Sequence, residues 1–170
     1  MLDTLRADFD VTAYYYNPNI YPDAEYDIRM QEVREFCGRE NIPFIEETPD
    51  RSHWFSLTEG LEHEPERGSR CTICYRMRLE KTAEFAQRHG FDWFGTDLSI
   101  SPHKDAKRLN QIGTELEKTL GVKYLHADFK KQDGFKKAMA RSRKECFYRQ
   151  TYCGCKYSML ARQKADALRA

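Results

Sequence analysis

The chain has no long run of apolar residues, and it does not begin with a charged segment followed by an apolar one. Neither a membrane span nor a secretory leader is therefore expected. It also has almost no excess charge, because 28 Lys and Arg against 27 Asp and Glu leave a formal net charge of +1. That excludes a globally basic nucleic-acid binder, so any contact with a polyanion has to come from a local patch. There is no internal repeat, no low-complexity tract and no domain boundary. At 170 residues, with ordinary apolar and aromatic content, residues 1–170 are expected to form one domain with a real core. Without an export signal the default location is the cytoplasm. Six cysteines there argue for metal or redox chemistry more than for a disulfide framework.

The order of apolar patterns gives the fold class. DVTAYYYN (10–17), IPFIEE (42–47), FDWFGTDL (91–98) and VKYLHAD (122–128) read as short buried strands. Between the first two, PDAEYDIRMQEVREFCGREN places Tyr26, Met30, Val33 and Cys37 on one helical face. The polar stretch 48–70 reads as a loop with a short helix inside it. CTICYRMRLEKTAEFAQRHG is a helix stopped by Gly90, and SPHKDAKRLNQIGTELEKTLG is one opened by Ser-Pro and closed by Gly121. The remainder looks helical on both sides of a second cysteine pair. Alternating strands and helices predict an α/β fold, an open and mostly parallel sheet with flanking helices, of Rossmann-like layering. MLDTLRADFDV reads as the end of a helix leading into a strand, so the strand that should precede that helix is missing from the pattern.

Two cysteine pairs carry the chemistry. Cys71 and Cys74, in C-T-I-C at a helix start, put both sulfurs on one face, where the helix N-terminus favours thiolates. Metal ligation, a redox dithiol and simple core packing all suit that placement. Cys153 and Cys155 flank Gly154. A disulfide across one residue closes a small, strained ring that suits a bridge meant to cycle, and Gly154 permits the tight backbone path. Redox use ranks first for this pair. A four-thiolate zinc site made with Cys71 and Cys74 ranks second, and coincidence remains open. Cys37 and Cys146 read as packing residues.

FKKQDGFKKAMARSRKECFYRQ interleaves Lys136, Lys137, Arg141, Arg143, Lys144 and Arg149 with Phe135, Phe147 and Tyr148. Cations hold phosphates and aromatics stack on unpaired bases, so the stretch is an RNA-binding candidate, against the alternative of a solvated helix face. His103 and Asp97 sit near the C-terminal ends of predicted strands, where open α/β sheets bind ligands. Asp97 could ligate a metal, donate a proton or cap the next helix.

In order, YYYNPNIYPDAEYDIRMQE, RCTICYRMRLEKTAEFA, FGTDLSISPHKDAKRLNQIG and FYRQTYCGCKYS resemble the cobalamin-independent epoxyqueuosine reductases, the QueH family, over nearly the whole chain. The resemblance implies an adenine-nucleotide α-hydrolase-like fold and an oxidoreductase that reduces the epoxide of epoxyqueuosine to queuosine in the tRNA anticodon loop. It implies a [4Fe–4S] cluster with Cys71 and Cys74 among its ligands, an additional iron nearby, and a redox-active disulfide between Cys153 and Cys155. The implied partners are the tRNA anticodon stem-loop and an electron donor the sequence does not identify, with no membrane. Family members also carry an N-terminal strand with a Cys-Cys-x-Pro-Cys motif. This sequence has none, and it starts where the helix after that motif would end, so truncation relative to the family is expected. The competing class is a non-catalytic zinc-binding RNA module with all four cysteines on one ion.

Overall fold

Parallel strands cannot be joined by a tight turn; the chain between them has to cross back, usually as a helix. The computed structural model, which describes residues 2–169, does this twice. After a short helix α1 (Leu2–Leu5), strand β1 (Ala13–Tyr15) leads through helix α2 (Asp23–Arg39) to strand β2 (Phe44–Glu46). The two strands pair in parallel, with Ala13 opposite Phe44 and Tyr15 opposite Glu46. Helices α3 (Arg51–Leu57) and α4 (Ser69–Arg88) follow. Strand β3 (Trp93–Phe94), a 3₁₀ turn over Asp97–Ile100 and helix α5 (Ala106–Leu120) then lead to strand β4 (Lys123–Tyr124), parallel to β3. Helices α6 (Gly134–Lys144) and α7 (Lys156–Ala167) end the chain. This is the expected α/β class with parallel pairing and flanking helices. Met1 and Ala170, the ends of the expected domain, lie outside the described residues.

The strands are shorter than the apolar runs that predict them, because a strand lasts only as long as a neighbour pairs with it. Among the described residues β1 and β3 each pair along one edge, so the sheet stands as two two-stranded pieces. No helix among the described residues is long and apolar enough to cross a membrane.

The largest core lies on the seam between α4 and α5. Leu79, Ala83 and Ala86 on α4 face Leu109, Ile112 and Leu116 on α5, with Phe94 and Tyr124 of the strands beneath them. Each side chain of this size buried from water contributes about 1.5–3 kcal/mol. A second cluster joins Tyr16, Trp54, Met77 and Cys155, so a residue near the C-terminus packs against β1, α3 and α4. The stops fall where the glycines predict. Gly121 is the left-handed C-cap of α5 at φ 76°, and after α4 Gly90 turns at φ 72° while Phe91 N–H closes back on Ala86 O.

Two local expectations change. The helix expected from Ser101 begins only at Ala106, because Asp105 takes the N-cap role and accepts the Arg108 N–H at 3.0 Å. That leaves His103 and Lys104 on the approach loop. Cys37 is buried as expected, but Cys146 is exposed. It follows the C-cap of α6 at φ 55°, off the helical face, and has no packing role.

Gly113 of α5 is required by a close approach, since a Cβ there would lie 2.4 Å from three ring atoms of Tyr124. In an exposed helix Gly→Ala stabilises; here overpacking wins. Gly113→Ala is expected to lower unfolding free energy by about 1–3 kcal/mol in urea denaturation.

Candidate active site

Helix α4 opens at the extended Gly68, and the Glu64 carboxylate accepts the Ser69 N–H at 2.8 Å, supplying the acceptor its first turn needs. Cys71 and Cys74 therefore stand at a well-capped helix start. The second pair is carried there from the other end of the chain. Ile20, just after β1, makes an antiparallel bridge with Cys155, and Tyr21 N–H donates to Gly154 O at 2.9 Å. Gly154 sits at φ 113°, a conformation a side chain would strain. Cys155 then caps α7, its Sγ accepting the Ser158 N–H at 3.4 Å.

The result is one cavity of about 40 Å³ lined by Cys71, Cys74, Cys153 and Cys155, with Asn19, Trp54, Arg70, Tyr75, Arg78 and Lys104 among its walls. Two cysteine pairs far apart in sequence thus share one site. Asn19 Oδ1, Trp54 Nε1, Arg70 Nε and Tyr75 Oη are buried without a protein partner. Buried polar groups are normally hydrogen-bonded, so a cavity bordered by these four residues is made for a polar occupant.

The four thiols do not behave alike. The helix start was expected to favour thiolates at Cys71 and Cys74, but burial decides otherwise. It pushes the Cys71 thiol up despite the Arg67 N–H that donates to its sulfur at 3.3 Å, and it pushes Cys74 up to about 11. Cys153 is the opposite case. Its pKa is held well below the ordinary thiol range by the Cys155 thiol 3.6 Å away, with further help from the Lys104 ammonium and the Ser158 hydroxyl at 3.0 Å. Cys155 is correspondingly driven up by the Cys153 charge and its own burial. Of the pair, Cys153 is thus the one favoured as thiolate and Cys155 the one favoured as thiol. Burial opposes the charge on Lys104. The Cys153 sulfur and the Glu66 carboxylate, 2.8 Å from Nζ, outweigh it and raise its pKa. Arg67 places this lysine, donating Nε to His103 O at 3.3 Å and Nη2 to Pro102 O.

The other candidates are distributed differently. Asp97 opens the 3₁₀ turn and is exposed, as is the His103 ring, and neither lines the cavity; their neighbours Leu98 and Lys104 do. The motif S-P-H-K-D carried the signal, one residue beyond the histidine. Of the basic set, Lys136, Lys137, Arg143, Lys144 and Arg149 are exposed, with Phe135 and Tyr148 each 40% exposed. Arg141 is half-buried, bound to Glu40 at 2.6 Å and stacked over Phe36. Its charge is already neutralised inside the protein.

Neither metal reading is assembled by these side chains. Among the described residues no group of three or more His, Cys, Asp or Glu is placed to hold a metal ion. A [4Fe–4S] cluster takes about four thiolates, of which the start of α4 offers two. The residues described do not by themselves fit the cluster. Nor do the described residues bring Cys71, Cys74, Cys153 and Cys155 together as a ready four-thiolate zinc site.

Two cysteine sulfurs 3.6 Å apart across one glycine, set against a lysine in an α/β fold, give this site the parts for thiol chemistry. The family model described as "Epoxyqueuosine reductase QueH" matches residues 1–161, and the chain belongs to that family. It is 44% identical over 156 residues to the epoxyqueuosine reductase QueH of Haemophilus influenzae, covering 91% of this chain and 64% of that protein. To the Streptococcus pyogenes protein of the same name it is 37% identical over 163 residues, covering 92% and 64%. To that of Thermotoga maritima it is 31% identical over 170 residues, covering 98% and 88%. The chain spans less than two thirds of the length of the first two of these relatives.

Alkylation by iodoacetamide follows the thiolate, so Cys153 is expected to react fastest of the four cavity cysteines at pH 7. Its rate falls as the pH drops through its lowered pKa. Lys104→Met removes a stabilising charge, so the inflection should move to higher pH, by roughly one unit. An inflection unchanged in Lys104→Met, read by mass spectrometry, would contradict this assignment.

Proposed function

We propose that this chain carries the thiol centre of an epoxyqueuosine reductase, acting on the epoxide of epoxyqueuosine in a tRNA anticodon loop to give queuosine. The observation that carries the reading is the Cys153–Cys155 pair, its sulfurs 3.6 Å apart, on a cavity that also holds the half-buried Lys104.

The balance is simple. Deoxygenating an epoxide breaks both C–O bonds, forms a C=C bond and releases the oxygen as water, which takes two electrons and two protons. The Cys153–Cys155 pair, holding one proton between its two sulfurs, supplies both electrons and that proton on closing to a disulfide; the second proton comes from the Lys104 ammonium, which water re-protonates. Lys104, charged and held by Glu66, stands ready to stabilise negative charge developing on the epoxide oxygen. A separate electron donor then returns the disulfide to the dithiol. Cys71 and Cys74 would contribute two thiolates to one if further donors completed it, and iron and sulfide content per chain measures that directly.

The exposed cations of α6 and the segment after it provide the RNA contact. Phe135, Lys136, Met139, Ala140 and Arg143 surround a concavity of about 360 Å³, wide enough to seat an unstacked base beside phosphate-binding side chains. A tRNA substrate places the work in the cytoplasm.

Cys153→Ser and Cys155→Ser are each expected to reduce single-turnover conversion of epoxyqueuosine tRNA by at least about 100-fold, with thermal unfolding little changed. The product is read by nucleoside mass spectrometry. Conversion retained in Cys153→Ser would eliminate the dithiol as reductant. Lys136→Glu with Lys137→Glu should weaken tRNA binding at low salt and flatten its salt dependence by roughly two phosphate contacts.

A further inference from the structure

Arg29 lies on α2, 124 residues before the cysteine turn, and is 9% exposed. Its Nε donates to Glu25 Oε1 at 2.8 Å, and Glu25 is itself buried. The two remaining nitrogens both reach the cysteine turn, Nη1 donating to Cys153 O at 3.3 Å and Nη2 to Tyr152 O at 3.2 Å. The guanidinium also stacks over the Tyr152 ring at 5.3 Å. A Cβ on Gly154 would come within 2.9 Å of Nη1, so the arginine lies directly against the residue between the two cysteines. The second Glu25 oxygen accepts the Tyr148 hydroxyl at 2.9 Å.

A buried ion pair is a poor way to gain stability alone, since desolvating both charges offsets much of their attraction. This one directs its outward donors at two consecutive carbonyls of one turn. The planar fork of arginine holds both carbonyls at once while still pairing with Glu25, a fixed geometry that the lysine ammonium lacks. The two sulfurs stand 3.6 Å apart and a disulfide brings them to about 2.05 Å across a single residue, so the turn tightens as they join.

We propose that Arg29, held by Glu25 and Tyr148, is a positioning residue that keeps the Cys153–Gly154–Cys155 turn in its dithiol geometry and so makes the disulfide easier to reduce. The inference rests on the redox reading of this pair. The clamp also links the turn to Tyr148, which stands in the exposed basic and aromatic stretch.

The test is equilibration of the whole chain with reduced and oxidised glutathione. One glutathione disulfide takes two electrons from the dithiol, giving the protein disulfide and two glutathiones. The Cys153–Cys155 peptide is quantified by alkylation and mass spectrometry. The variants are Tyr148→Phe, which removes one hydroxyl, and Arg29→Gln with Glu25→Gln, which replaces the ion pair by neutral groups of similar size; near-ultraviolet circular dichroism reports folding. The expected result is a disulfide-formation constant about tenfold higher in the double variant, equivalent to roughly 30 mV for a two-electron couple. Tyr148→Phe should raise it about threefold, and Arg29→Lys should lie between native and double variant. Constants within a factor of about 1.5 of native in the folded variants, or shifted toward the dithiol, would overturn the clamp while leaving the redox reading standing. If the double variant does not fold, Tyr148→Phe decides alone. A native chain that forms no Cys153–Cys155 disulfide at any glutathione ratio overturns the redox reading and the clamp with it.

Discussion

A cysteine turn close to a chain terminus would be a mobile loop if nothing fastened it, and here the fastening is the junction between β1 and α2. Backbone contacts from Ile20 and Tyr21 take hold of Cys155 and Gly154, while Arg29 takes the carbonyls of Tyr152 and Cys153. Once the turn is seated, Cys155 completes the cluster of Tyr16, Trp54 and Met77, and Cys153 faces the start of α4. Without that seat there would be no shared cavity, only two unrelated pairs of thiols.

Within the cavity, environment separates chemically identical groups. Helix polarity at the start of α4 is worth a fraction of a kcal/mol near an exposed surface, and burial of a thiolate costs more. Cys71 and Cys74 therefore stay protonated in the absence of a bound cation. Cys153 is half-buried too, but it receives a thiol, a hydroxyl and an ammonium charge, which together reverse the balance. Lys104 in turn needs Glu66 and the Cys153 sulfur to keep its own charge at that depth. The charges are mutually dependent, so the lysine and the cysteine act as a unit across a site assembled from distant segments.

The donors around the cavity and the exposed cations beyond it form two separate electrostatic regions in a chain of nearly zero net charge. Inside, buried arginines and a lysine face thiols; outside, α6 presents lysines with aromatic surface. Arg141 belongs to neither, because Glu40 and Phe36 tie it into the contact between α6 and α2. A charged residue in a basic stretch is thus either a contact for a partner or a brace for the fold, and only its neighbours in space decide which.

The linear chain determined whatever depends on residues near each other in sequence. Helical periodicity placed Tyr26 and Cys37 inward, glycines at 90 and 121 marked helix ends, and the strand–helix alternation specified parallel pairing. The cysteine pairs and the order of four motifs were enough to point to the QueH family. What the sequence could not show was anything that depends on approach across the fold. Which thiol ionises, that Lys104 rather than His103 enters the cavity, that Cys146 is exposed, and that Arg29 and Glu25 are buried beneath the cysteine turn were all decided by the tertiary structure. A pKa and a buried ion pair are set by partners and solvent within a few ångströms, and the contacts that assemble them join residues as distant in sequence as Arg29 and Cys153, 124 residues apart.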